Sequence, residues 1–104
     1  METKLKVFIS QPMRDRDKEE IIKERQEIER YLNIRYNNNV EIIDSYKMDF
    51  VETDNVTLLK LIANCIELMA DADLVVFANN WQYARGCRIE RNCAEEYGLM
   101  TFDF

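Results

Sequence analysis

Apolar residues fall into short runs separated by long polar stretches with helical periodicity, and the two patterns alternate along the chain. Leu5-Lys6-Val7-Phe8-Ile9-Ser10 reads as a first strand. It stops at Gln11-Pro12, because proline cannot donate to a ladder and biases its predecessor towards extended geometry. From Asp17 the sequence turns to Lys, Glu, Arg and Gln, with Ile21, Ile22, Ile28, Tyr31 and Leu32 at helical spacing. That spacing predicts an amphipathic helix to about Tyr36, closed by Asn37-Asn38-Asn39. Val40–Asp44 reads as a second strand, and Ser45–Asp54 as a loop over one end of the sheet. Asp54 or Asn55 can cap the next helix, whose wide apolar face (Leu58, Leu59, Leu61, Ile62, Cys65, Ile66, Met69) predicts deep burial. Leu74-Val75-Val76-Phe77 is apolar throughout, as expected of a strand covered on both sides. After a loop over Ala78–Tyr83 come a third helix, Ala84–Tyr97, with Gly98 as its C′ residue, and a last strand over Met100–Phe102.

This order, βαβαβαβ, predicts an α/β fold: a small open parallel sheet of four or five strands flanked by three helices, flavodoxin-like or Rossmann-like. Ligands of such sheets sit outside the carboxyl ends of the strands, near a switch in strand order, so the loops after Ser10, Asp44 and Phe77 should meet there. A length of 104 residues suits one domain, residues 1–104.

Composition narrows the chemistry. Hydrophobic residues make up 47% and charged residues 33%, a globular balance. A net charge of −6 argues against a nucleic-acid polymer as partner, because grooves for phosphate backbones need clustered Lys and Arg. Cys65, Cys87 and Cys93 show no C-x-x-C spacing and read as reduced thiols of a cytoplasmic protein. The absence of histidine removes Ser-His-Asp and Cys-His activation and most metal-dependent hydrolysis. Neither a metal nor a cofactor is expected. The apolar run after Lys6 is too short for a signal-peptide core or a membrane span.

One carboxylate is out of place. Positions three and four residues from Glu90 are Gly86, Cys87, Cys93, Ala94 and Tyr97, so Glu90 lies on the apolar stripe of the third helix. A buried carboxylate is usually paired, hydrogen-bonded or functional. Three readings stand open: pairing with Arg14, Arg85 or Arg91, a rotated helix that leaves Glu90 in water, or a catalytic group. Trp81, after the third strand, could stack on a base or simply pack. Asp44, at a strand end, could bond a ribose hydroxyl or start a turn.

Several segments carry a family likeness. Lys6–Arg14 with its I-S-Q-P-M-R, Ile42-Ile43-Asp44-Ser45, Glu67–Phe77, and Trp81–Glu90 with its A-R-G-C-R-I-E together resemble the nucleoside 2-deoxyribosyltransferase superfamily, in particular its short bacterial and phage branch. The resemblance implies a deoxynucleoside or deoxynucleoside 5′-monophosphate as ligand, and transfer or hydrolysis at the N-glycosidic bond. Glu90 would be the nucleophile, attacking C1′ of the sugar. Ser10, Gln11, Met13 and Arg14 would cradle the sugar or its phosphate, with Asp44, Trp81, Arg85 and Gly86 completing the pocket. It also implies a homodimer or higher homo-oligomer. The family's helper aspartate falls here on Cys65 or its neighbour Asn64, and Asp15 takes a place that is often glycine. A catalytically silent nucleotide-binding protein, acting as sensor or sequestering module, is the alternative expectation.

Overall fold

The two most apolar runs become the two central strands of one sheet. The computed structural model describes residues 4–45 and 54–104. Strands β1 (Leu5–Ser10), β2 (Val40–Ile42), β3 (Leu74–Phe77) and β4 (Met100–Asp103) line up in the order β2-β1-β3-β4, and all neighbours are parallel. Helices α1 (Lys18–Arg35), α2 (Asn55–Met69) and α3 (Arg85–Glu96) connect them. The architecture is the α/β fold expected, flavodoxin-like or Rossmann-like, with four strands.

Alternation along the central strands sorts the helices into two layers. Val7 and Ile9 of β1, with Leu74 and Val76 of β3, pack against Ile28 and Leu32 of α1. Phe8, Val75 and Phe77 point the other way, onto Met69 of α2 and Ala94 of α3. Side chains two apart on a strand share a face, so Ser10 follows Phe8 onto the α2/α3 side. The chain therefore leaves β1 for one layer and β3 for the other, which makes the β1/β3 boundary the topological switch.

Several local expectations are corrected. β2 ends at Ile42 rather than Asp44, although the Ile43 N–H still donates to the Val7 carbonyl at 2.8 Å before the chain departs. Of the loop expected over Ser45–Asp54, residues 46–53 lie outside the described residues. The Ala78–Tyr83 connection is not irregular throughout, since Trp81–Tyr83 forms a 3₁₀ turn, and β4 runs one residue further than expected. Tyr97, placed on the apolar stripe of the third helix, is instead exposed, because α3 has ended by then. Gly98 follows with φ 71°, the left-handed turn that ends the helix.

The largest departure is α2. Asp54 caps it as expected, its carboxylate accepting from the Thr57 N–H at 2.7 Å, and that bond holds the carboxyl below its ordinary range. Deep burial does not follow: Met69 is its one fully buried residue, while Val56 and Leu59 are 64% and 67% exposed. Its apolar residues span more than half the helix circumference, and a sheet with one neighbouring helix covers only part of that width. No helix among the described residues is long and apolar enough to cross a membrane.

Candidate functional site

Glu90 is the structure's answer to the question its spacing raised. It sits in the second turn of α3 and is 5% exposed, beneath the carboxyl end of β1. The Ser10 hydroxyl, last on β1, donates to Glu90 Oε1 at 2.6 Å. From α2 the Cys65 thiol adds a second hydrogen bond to the carboxylate. Cys87, one helical turn before Glu90, hydrogen-bonds Ser10. Strand β1 and α2 thus each send a neutral donor group to one acidic side chain of α3.

Among the readings left open, pairing with two of the three arginines is excluded. Arg91 directs its guanidinium to Glu95 and Asp103, and Arg85 reaches Asn55 Oδ1 at 3.4 Å. Arg91 follows Glu90 directly, so its side chain leaves the helix about 100° away and cannot turn back onto its neighbour.

Electrostatics follow from that environment. Burial pushes the Glu90 carboxyl up to about 7, and the hydrogen bonds from Ser10 and Cys65 pull it only partly back. The helix N-terminus also favours the ionised form, but neutral donors do not replace a cation. Burial pushes the Cys87 thiol up to about 12; the Ser10 hydrogen bond opposes this, and the charges of Glu90, Cys65 and Glu24 add to it. At neutral pH the cluster therefore holds a protonated thiol beside a carboxyl poised between its two states.

The remaining expected site residues divide. Gln11 is buried, yet its amide is spent on α1: Nε2 donates to the Ile21 carbonyl at 2.9 Å and to Glu24 Oε1 at 2.8 Å, and Oε1 accepts from Arg25. It braces the loop after β1 rather than facing the Glu90 side. Met13 is half-buried and Arg14 exposed, and Asp15 beyond them takes φ 60°. Arg16 ties this loop down by donating to the Pro12 carbonyl at 2.8 Å and to Glu24 at 2.9 Å. Asp44 is exposed at the end of β2. Trp81 packs, its ring 5.4 Å from that of Phe77, and the Arg91 guanidinium lies 4.8 Å from its centre. Gly86 marks the close approach of α2 and α3, where an added Cβ would stand 3.4 Å from Ile62 Cδ1.

Sequence reasoning missed Cys87 as a member of the cluster and the role of Arg16 as loop clasp. For Cys87 a signal existed: it stands three residues before Glu90, on the same helical stripe. Among the described residues no group of three or more Cys, Asp or Glu side chains is arranged to hold a metal ion. A separate shallow hollow lined by Gln26, Glu29, Arg30, Asn33, Ile34 and Asn38 lies on α1, which packs on the opposite layer from Glu90. Comparison of the chain with protein-family models, with curated proteins and with solved structures finds no match.

Proposed function

We propose that this chain cleaves or transfers at N-glycosidic bonds of deoxynucleosides or deoxynucleoside 5′-monophosphates, with Glu90 as nucleophile. The observation that carries this reading is a carboxyl buried at the β1/β3 switch point, poised near neutrality and hydrogen-bonded by Ser10. Such a group costs stability, and a chain that keeps one has a use for it. In the ionised state Glu90 attacks C1′, and the electron pair of the breaking C1′–N bond leaves with the base, which takes up a proton. Water or a second base then displaces the glutamyl ester. Ser10 holds the attacking oxygen in place, and the loop from Ser10 to Arg14 faces the sugar or its phosphate. The resemblance to the nucleoside 2-deoxyribosyltransferase superfamily supports the assignment. So does Asp15, whose φ of 60° suits a place where that family often has glycine.

A specific observation favours the second reading, a catalytically silent binder. Of the two places on which the family's helper acid falls, Cys65 or Asn64, Cys65 meets Glu90, and a thiol is a poor substitute for a carboxyl that protonates a leaving base.

Incubation with deoxynucleosides and their 5′-monophosphates, followed by detection of free base, tests the proposal. Wild type should release base, with a rate that rises with pH through about 7 as Glu90 ionises. Glu90→Ala should lower it by about a thousandfold or more. Base release unaffected by Glu90→Ala refutes the nucleophile, and thermal stabilisation by these ligands without release establishes the binder instead.

A further inference from the structure

Gln11 and Arg16, the residues that bracket the Pro12–Asp15 loop, converge on one atom of α1. Gln11 Nε2 donates to Glu24 Oε1 at 2.8 Å, and Arg16 Nη1 donates to the same oxygen at 2.9 Å. Arg16 Nη1 also reaches back to the Pro12 carbonyl at 2.8 Å, and Gln11 Nε2 takes the Ile21 carbonyl as its second acceptor. The loop is thus closed into a ring through the Glu24 side chain. Glu24 and Arg16 are both largely buried at their side chains, whereas Glu20, the other acid within reach of Arg16, is mostly exposed. A sheltered pair keeps its geometry where an exposed one is screened.

The end of β1 is held from two sides. Ser10 turns to Glu90 and Gln11 turns the opposite way, to α1, as successive residues of a strand do. Ser10 does not depend on α1 for its place: its carbonyl accepts from the Ala78 N–H at 2.9 Å within the sheet, and its hydroxyl meets Glu90. Beyond Ser10 the chain leaves the ladder, and the Glu24 clasp spans the stretch before α1 begins at Lys18. Asp15 within it takes φ 60°, a backbone value that costs a non-glycine residue energy and persists where the surroundings impose it.

We propose that Glu24 is a positioning residue for ligand binding, which shapes the Pro12–Asp15 loop in advance by gripping Gln11 and Arg16 through one oxygen. The proposal rests on the reading that this loop faces the sugar or its phosphate. Glu24 touches no ligand; it acts through the loop backbone. A loop already ordered does not lose its conformational freedom when the ligand arrives, and affinity rises accordingly. Ser10 and Glu90 are anchored by the sheet and by α3, so loss of the clasp weakens binding and spares the reacting centre.

Two measurements on the full chain test this: steady-state base release from deoxynucleoside 5′-monophosphates, and calorimetric titration of the same compounds into Glu90→Gln chains, which should bind without turnover. Circular dichroism verifies that each variant is folded. Glu24→Ala should raise KM, and weaken Kd in the Glu90→Gln background, by about tenfold or more, with kcat changed less than about threefold. Glu24→Gln keeps an oxygen that accepts from both donors and should stay within about threefold of wild type in KM. Arg16→Ala should act in the same direction, and it carries the test if Glu24→Ala does not fold. Arg16→Ala/Glu24→Ala should do no more than Glu24→Ala alone, since one clasp is lost in both. Unchanged KM and Kd in Glu24→Ala, a kcat that falls as far as KM rises, or an additive double variant each overturns the proposal while base release by wild type stands. A wild-type chain that neither releases base from these compounds nor binds them overturns the glycosidic reading itself, and the role of Glu24 with it.

Discussion

Glu90 makes the pH response of this protein run opposite to that of most acidic chains. A carboxylate stabilised by a cation has a lowered folded-state pKa and loses its contribution as pH falls. Here the folded value is raised from 4.5 to about 7. The native state therefore binds the proton more tightly than the unfolded chain, and its cost is absent below about pH 4.5, grows between the two values, and is complete above 7. Glu90→Gln should remove a penalty of about 3 kcal/mol above neutrality. Thermal melts from pH 5 to 8 should show a wild-type midpoint that falls relative to that of the variant, and parallel curves would refute the raised value. The neighbouring thiol gives an independent check. At pH 8 an alkylating reagent should label the half-buried Cys65 and Cys93 before Cys87, whose proton is held to about 12. Digestion and mass spectrometry read the order, and equal labelling of Cys87 would contradict its burial. The spacing of Glu90 exposed its place on the apolar stripe, because helical periodicity is local. Cys65 and Ser10 lie far from it in sequence, and only the packing of three elements brings them to one carboxylate.

At the scale of elements, α3 is tied down by the residue that follows its buried acid. The Arg91 guanidinium lies 4.9 Å from the centre of the Phe77 ring and 4.8 Å from that of Trp81, and also reaches Glu95 and Asp103. Both acids are more than half exposed, so the ion pairs are screened and the ring contacts carry most of the effect. Arg91→Ala should cost about 1–2 kcal/mol, read as a lowered urea midpoint. Arg91→Lys should recover less than half of that, because an ammonium cannot lie flat against two rings. Full recovery by lysine would show that charge alone matters. Strands and helices were legible from periodicity: β1 has the bounds expected, and α1 agrees to one residue at each end. The depth of α2 was not. Apolar width is a property of the helix, whereas burial depends on how many neighbours arrive to cover it. Gln11 shows the same limit, since the family resemblance implied a ligand contact while the start of α1 offers closer acceptors.

The whole molecule resolves into two layers that meet the sheet differently. On the α1 side the contacts are apolar and aromatic, with Tyr31 stacked on Phe102 at 5.6 Å and edge-on to Phe104. On the α2/α3 side the apolar packing of Phe8, Val75 and Phe77 gives way, at the carboxyl end of β1, to the hydroxyl, two thiols and one carboxyl. Alternating strands and helices sufficed to foresee a parallel sheet, because a crossover helix leaves the chain little other choice. Which residues gather at the switch point is decided by register and helix rotation, which periodicity constrains only loosely.

Placing β1 in the middle of the sheet has a consequence for biosynthesis. Val7 finds its partner on one side in Ile42 but on the other only in Leu74. At a translation speed of roughly 5–20 residues per second, the opening hexapeptide waits several seconds on the ribosome with one edge bare. Chaperones that shield sticky nascent segments have their interval of greatest use there, before the third strand arrives.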